Sequence, residues 1–325
     1  MVFVTGGAGY IGSHTVRLLV EAGQSVTVFD RFPKGQGGLP RGVQAVRGDL
    51  ADLPLLTHSL RESGADAVLH FAGYIAAGES MQEPTKYFHN NVSCGVNLLE
   101  AMIRCEVRRI IFSSSAGVYG DPERVPIPEN HPCRPTNVYG ETKYLFERLL
   151  SWYDKTHGIR SICLRYFNAA GAHPSGEIGE AHEPETHLIP IALDVALGER
   201  AELKLFGGDY PTRDGTCVRD YIHVMDLAEA HLLALDALQK HGASAVYNLG
   251  NGVGYTNLEV VRTIEEASGR RVPYRVVERR PGDAAELYAS SEKARRELSW
   301  RPKSPELRTI VESAWRWHQT LRARK

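Results

Sequence analysis

Tyr139 and Lys143 stand four apart in Tyr139-Gly140-Glu141-Thr142-Lys143. On a helix that spacing puts both side chains on one face. A free tyrosine titrates near pH ~10 and is a poor base at neutral pH. A nearby ammonium favours the phenolate, and each unit of pKa lowering is worth about 1.36 kcal/mol. The pair therefore predicts a phenolic base that takes a proton from a hydroxyl while hydride leaves the same carbon. A packed tyrosine and a surface lysine produce the same short pattern, so its meaning depends on its surroundings.

Hydride chemistry requires an acceptor. Thr5-Gly6-Gly7-Ala8-Gly9-Tyr10-Ile11-Gly12 carries Gly-x-Gly-x-x-Gly at Gly7, Gly9 and Gly12, and a second glycine series starting at Gly6. It follows the apolar stretch Val2-Phe3-Val4 and opens an amphipathic helix through Leu18, Leu19 and Val20 that ends at Gly23. That context is the one in which such a loop brings backbone N–H groups to a pyrophosphate. Asp30 ends the next strand pattern, where a carboxylate accepts from a ribose 2′-hydroxyl and repels a 2′-phosphate. The reading is NAD rather than NADP. Gly48-Asp49-Leu50 fits a loop reaching the adenine. Ser113-Ser114-Ser115 follows another strand, and Ser115 and Tyr139 are both expected at the carboxyl ends of strands, where ligands bind in such sheets.

The elements that must position these residues alternate between strand and helix patterns. Strands are predicted at Val26–Asp30, Ala67–Phe71, Arg109–Ser113 and Ser161–Tyr166, with helices between them. Such alternation indicates βαβ units. The expected fold is α/β: a doubly wound parallel sheet of Rossmann type with a smaller C-terminal α/β substrate lobe. The expected division is 1–168 and 169–325, with a stretch near 218–240 returning to the first part. Residues 169–187, rich in Gly, Pro, His and Glu, read as a long loop. Tyr247-Asn248-Leu249-Gly250 reads as a strand end in the second half.

Two helices look apolar on more than one side. One offers Leu145, Leu149 and Trp152 opposite Phe146, Leu150 and Tyr153; the other offers Val92, Val96, Leu99 and Ile103 alongside Leu98 and Met102. A homodimer built through these two helices of each subunit is expected.

The 325 residues carry 38 Lys and Arg against 39 Asp and Glu, a formal net charge of -1. This balance gives no electrostatic reason for a nucleic-acid or membrane partner. The basic end Leu321–Lys325 reads as a solvated helix terminus. Five cysteines, none in a Cys-x-x-Cys pair, suit a reducing compartment. With no leader pattern and no long apolar run, a cytoplasmic protein is expected. His182 and His187 lie in the Pro/Glu-rich loop without a metalloprotease-type pattern, so no metal is expected.

Further segments carry a resemblance. They are Thr5–His14, His70–Gly73, Gly78-Glu79-Ser80, Asn90-Asn91-Val92, Ser113–Gly120, Leu164–Asn168, Gly171–Gly176, Asp209–Thr212, Val218–Leu227 and Arg279–Asp283. On these the chain resembles the extended short-chain dehydrogenase/reductase family and, within it, the UDP-glucose 4-epimerases, over nearly its whole length. The resemblance implies C4 epimerisation of a UDP-hexose through a 4-keto intermediate, with Ser115, Tyr139 and Lys143 as the catalytic residues. It implies contacts to NAD from Gly6, Gly9, Tyr10, Ile11, Gly12, Asp30, Asp49 and Leu50, and from Phe71, Ala72, Gly73, Asn91, Ser113, Tyr139, Lys143 and Tyr166. For the UDP-sugar it implies Ser115, Tyr139, Phe167, Asn168, His187, Leu188 and Lys204, together with Phe206, Arg219, Tyr221, Arg280, Asp283 and Leu287. Arginines there suit a pyrophosphate.

Three positions bear on how far the resemblance reaches. Ile75 stands where some members carry a lysine that helps hold the cofactor, which implies looser retention of NAD. His187 stands where other members have asparagine. Leu287 stands where a tyrosine excludes N-acetylated sugars, so UDP-N-acetylglucosamine becomes a candidate substrate. Other NAD-dependent nucleotide-sugar enzymes, a UDP-glucuronate epimerase or decarboxylase or a 4,6-dehydratase, remain alternatives. Ala116 and Gly117 occupy the place of the Asp-Glu pair that a dehydratase uses. The non-enzyme alternative is an NAD-sensing binding protein, against which the retained Tyr139 and Lys143 speak.

Overall fold

A computed structural model describes residues 1–32, 38–280 and 282–323. Pro281 of the Arg279–Asp283 segment, and Arg324 and Lys325 of the basic end, lie outside the described residues. The main sheet has seven strands: β1 (Val2–Thr5), β2 (Val26–Asp30), β3 (Gln44–Arg47), β4 (Ala67–His70), β5 (Arg109–Ser113), β6 (Arg160–Tyr166) and β7 (Ala245–Leu249). Every pairing is parallel, and the spatial order is β7-β6-β5-β4-β1-β2-β3. The chain thus moves one way from β1 and then the other, leaving a switch point between β1 and β4.

Successive strand residues serve opposite faces. Val2, Val4, Val28 and Ile111 pack with the helices Tyr10–Glu21 and Val224–His241. Phe3, Phe29, Ile110 and Phe112 pack with Leu53–Ser63, Cys94–Arg104 and Val138–His157. A third core, with Leu193, Leu205, Val260, Val261 and Ile310 at its centre, joins the C-terminal helices to two short strands.

Several features were not legible in the sequence. Tyr247–Leu249 belongs to β7 of the main sheet, so the chain pairs with its first half again at 245, beyond the return expected near 218–240. The stretch from 169 is less irregular than expected, because Asn168–Ala170 is a strand beside Tyr221–His223 and Ala172 bridges to Gly179. The helix before β5 is not uniform, since Phe88–Ser93 forms a π-helical turn ahead of Cys94–Arg104. Such turns widen the backbone and occur often beside functional sites. The basic end is not wholly solvated, because Arg322 Nη2 donates to Asp194 Oδ1 at 2.6 Å and ties the last helix to Leu188–Leu197.

A buried ion pair braces the sheet beneath the cleft. Arg165 on β6 donates through Nε to Glu147 Oε1 at 2.9 Å and through Nη2 to Glu147 Oε2 at 2.5 Å. Both side chains are 6% exposed. Ser114 donates to the same carboxylate, and Arg165 also reaches the Tyr119 hydroxyl. Removing one partner of such a pair strands a buried charge, at about 3–5 kcal/mol. Glu147→Leu should therefore lower unfolding stability by about that amount, read by denaturant titration. The double variant Glu147→Leu/Arg165→Met should recover much of it, because no lone charge remains.

Candidate active site

One cleft of about 510 Å³ runs across the carboxyl ends of the strands. The switch point between β1 and β4 opens into it, the expected location for a ligand in such a sheet. At one end lie Gly6, Gly9, Tyr10, Ile11, Gly12, Asp30, Asp49, Leu50, Phe71, Ala72 and Gly73. At the other end lie His187, Leu188, Lys204, Phe206, Arg219, Tyr221, Arg280, Asp283 and Leu287. Ser115, Tyr139, Tyr166, Phe167 and Asn168 line it as well.

The glycine end fits a dinucleotide. The helix Tyr10–Glu21 begins with no side-chain cap at Gly9, so backbone donors of its first turn are available to an anion. Gly6 has φ +71, and a Cβ there would stand 2.5 Å from the Ala72 nitrogen. A Cβ on Gly12 would stand 2.2 Å from the Gly6 carbonyl oxygen. The Asp30 carboxylate accepts from the N–H groups of Ala8 and Phe32, both at 2.9 Å, which fixes it at the end of β2. Two hydrogen bonds leave it capacity to accept from ribose hydroxyls. Arg31 also lines the cleft, donating to the Tyr74 hydroxyl at 3.1 Å and sitting 3.7 Å from Asp49. Gly12→Ala should weaken NAD retention roughly tenfold or more, since overpacking typically costs about 1–3 kcal/mol; the cofactor content of the isolated protein measures it.

The reaction end rests on local capping. Asn137 caps the helix Val138–His157 by accepting from Gly140 N at 2.9 Å. Ser80 Oγ accepts from Tyr139 N at 3.0 Å. Ser115 caps the short turn Ala116–Tyr119 by accepting from Gly117 N. Part of the Tyr139 ring is accessible, yet burial pushes its phenol pKa up, and a hydrogen bond with Ser115 opposes that rise. The expected lowering by Lys143 is not what the geometry provides. Lys143 is 4% exposed and donates through Nζ to the Ser113 carbonyl at 2.8 Å, with Nζ 5.9 Å from the centre of the Tyr139 ring. Burial lowers its pKa to about 8, against the raising influence of Glu147.

Three sequence-predicted residues stand behind the cleft wall rather than on it: Lys143, Ser113 and Asn91 are absent from its lining. Asn91, in the π-helical turn, bridges inward, with Oδ1 accepting from Tyr74 N at 2.8 Å and Nδ2 donating to Thr142 Oγ1 at 3.1 Å. Ser113 Oγ pairs with His231 Nε2 at 2.8 Å. Gly73 lies against both Asn91 and Lys143, which marks where the inner wall meets the cleft.

At the far end Arg219 is committed in part to its own fold. Its Nη1 donates to the carbonyls of Val218 and Ala284, and Nη2 stands 3.6 Å from Asp283. Arg280 lies over the Phe206 ring at 4.4 Å. Thr136 was missed by sequence reasoning; it lines the cleft and binds the Gly282 carbonyl at 3.1 Å across it. Glu180 and His182 also line the cleft, and no local pattern distinguished them from loop residues.

Comparison with known proteins agrees with this geometry. Residues 2–250 match the NAD dependent epimerase/dehydratase family. A UDP-glucose 4-epimerase of Halalkalibacterium halodurans is 50% identical, over 98% of this chain and 95% of the relative. A crystal structure of a UDP-glucose 4-epimerase superposes with a TM-score of 0.94 at 46% identity, covering 98% of this chain and 97% of the other. The Bifidobacterium longum UDP-glucose 4-epimerase, solved in complex with NAD+ and UDP, superposes with a TM-score of 0.93 at 40% identity over 98% of each chain. On the family match and these full-length likenesses, the chain belongs to the NAD-dependent epimerase/dehydratase family.

Proposed function

We propose that this chain interconverts UDP-glucose and UDP-galactose by inverting C4, with NAD as its resident cofactor. The observation that carries this reading is a single cleft with a dinucleotide loop at one end, Ser115 and Tyr139 in its wall, and Arg219, Arg280 and Asp283 at the other end. A hydride-transfer site needs the first two; the third suits a nucleotide-linked substrate and can hold it while the sugar turns. In lobe terms, residues 1–168 with the returning stretch would carry the cofactor, and the remainder would carry the UDP end.

When bound, NAD supplies a reversible hydride acceptor at C4. Tyr139 takes the 4-hydroxyl proton, with Ser115 bridging sugar and phenol. Lys143, held by the Ser113 carbonyl, fixes the inner wall on which the cofactor end rests. The 4-ketose then turns its other face while the uridine diphosphate stays anchored. Tyr139 would return the proton on that face and the hydride would come back there from bound NAD, so atoms and redox state would balance over one turnover. Incubating the purified protein with UDP-galactose, without added NAD, should yield UDP-glucose by chromatography. A product that has lost water, or no epimer from protein with bound NAD, would refute the reading.

The Leu287 side chain in the cleft wall favours a broader substrate range. UDP-N-acetylglucosamine should be epimerised, and Leu287→Tyr should suppress that activity while retaining conversion of UDP-galactose. The dimer reading is supported by Trp152, 58% exposed, and by Phe88 and Met81, which also stand out among the exposed hydrophobics. Leu145, Leu149, Val92 and Val96 beside them are only partly covered. We read this as the face on which two copies meet through the Cys94–Arg104 and Val138–His157 helices; light scattering that finds only a ~36 kDa species at micromolar concentration would exclude it. Among the described residues no helix is long and apolar enough to cross a membrane.

A further inference from the structure

The segment read from sequence as a loop without a metal holds two copies of one small motif. In Glu180-Ala181-His182, Glu180 Oε1 accepts from the backbone N–H groups of Ala181 and His182 and lies 2.5 Å from His182 Nδ1. In Glu185-Thr186-His187, Glu185 Oε1 accepts from the N–H groups of Thr186 and His187 and lies 2.6 Å from His187 Nδ1. The two motifs face each other. The imidazole rings are 6.1 Å apart, and one ligand-type atom from each of the four residues lies within 4.8 Å of the other three. The carboxylates are 9% and 10% exposed, the imidazoles 34% and 39%, so the cluster is enclosed on its acidic side and open on the other.

We propose that Glu180, His182, Glu185 and His187 form a binding site for one divalent cation of the zinc type. Two imidazoles and two carboxylates make an N₂O₂ set; imidazole suits zinc, whereas calcium and magnesium prefer all-oxygen shells. A tetrahedral ion with bonds of about 2.0–2.1 Å holds its ligand atoms roughly 3.3 Å apart. The four atoms here already lie within 4.8 Å of one another, so the widest gap has to close by about 1.5 Å to reach that spacing. The short imidazole–carboxylate contacts open slightly, and the two motifs draw together. Each carboxylate has a second oxygen and each ring a second nitrogen, so an ion can be held while the backbone bonds to Oε1 persist.

The site would act on position rather than chemistry. Glu180 is anchored behind, its carbonyl accepting from Trp317 Nε1 at 2.7 Å. His187 is the residue immediately before the Leu188–Leu197 helix. Glu180, His182 and His187 line the same cleft as Tyr139. A cation there would clamp residues 180–187 between the last helix and the nucleotide end of the cleft. This inference concerns the loop itself and stands whether or not the epimerase reading holds.

The test uses tag-free protein with its native cofactor, stripped with a chelator and titrated with zinc chloride alone. Elemental analysis after dialysis should find one zinc per chain, and the unfolding midpoint should rise with free zinc. His182→Gln and Glu185→Gln should each weaken zinc binding by at least the ~10–100-fold seen when even an outer-shell partner is lost. Cobalt substitution of the wild-type chain keeps the proposal falsifiable if either variant fails to fold. Intense four-coordinate ligand-field bands without thiolate charge transfer support it. Weak six-coordinate bands, thiolate charge transfer from the cysteines, no retained zinc, or variants that bind zinc as tightly as wild type would each overturn it.

Discussion

Tyr139→Phe is expected to lower turnover by roughly 10²–10⁴, the usual contribution of a positioned general base, while leaving the fold and NAD content unchanged. In the proposed mechanism the phenol takes the sugar proton, and phenylalanine fills the same space without it. The effect should fall on kcat more than on KM, because the proposed nucleotide anchor at the other end of the cleft is untouched. The pH profile carries a second signature. Burial raises the Tyr139 pKa and the Ser115 hydrogen bond lowers it. Ser115→Ala removes the lowering influence, so the alkaline rise in activity should move to higher pH. A Tyr139→Phe enzyme with near-wild-type turnover would remove Tyr139 from the mechanism. An unmoved profile in Ser115→Ala would remove the hydroxyl's influence on it.

The second large effect is loss of stability in weak acid. Four histidines are buried to 3% exposure or less: His14, His70, His223 and His231. Burial is the main cause in each case, lowering His14, His223 and His231 to about 4 and His70 to about 3. An unfolded histidine titrates near ~6.5. Above that pH neither state binds these protons and stability is unaffected. Below it the unfolded chain binds protons that the folded chain refuses, so stability falls as the pH drops from about 6.5 toward about 4. Asp220 works in the other direction. Burial raises its pKa to about 6, against backbone hydrogen bonds from Asn251, Ala289 and Gly252. The folded state therefore takes up that proton first as pH falls below about 6.

Taken by themselves, these five groups contribute a slope of roughly 4 kcal/mol per pH unit between about pH 5.5 and 4.5. Native stabilities are typically about 5–15 kcal/mol, so cooperative unfolding is expected within about two to three units below pH 6.5. Circular dichroism melts at closely spaced pH values measure it. An unfolding midpoint that stays level between pH 7 and 4.5 would contradict the neutral, buried assignment of these rings.

Much of the site was legible because it is built from short-range geometry. The glycine loop is legible since only glycine tolerates the approach of Gly6 to Ala72 and of Gly12 to Gly6. Asp30 is legible because it ends a short, mostly apolar stretch that reads as a buried strand. Tyr139 and Lys143 share a helical face by spacing alone. What that spacing could not tell was the direction of the Lys143 ammonium. Its partner, the Ser113 carbonyl, comes from a strand 30 residues earlier, and tertiary packing brings the two together.

The same limit explains the other departures. Arg165 sits in a quoted motif, but its pairing with Glu147 depends on β6 lying beside the Val138–His157 helix. The return of Ala245–Leu249 to the main sheet is a pairing over some eighty residues, which no local pattern encodes.

Sequence by itself determined the cofactor loop, the Tyr139/Lys143 spacing, the parallel α/β class and the family, because each depends on residue type and on spacing within one element or one turn. Tertiary structure alone decided which groups face one another across elements. It set Lys143 behind the cleft wall, seated Arg165 against Glu147, and closed two Glu-x-His motifs onto a common centre. Those outcomes follow from how the chain packs, where contacts between distant residues are selected together by burial and hydrogen bonding rather than one at a time.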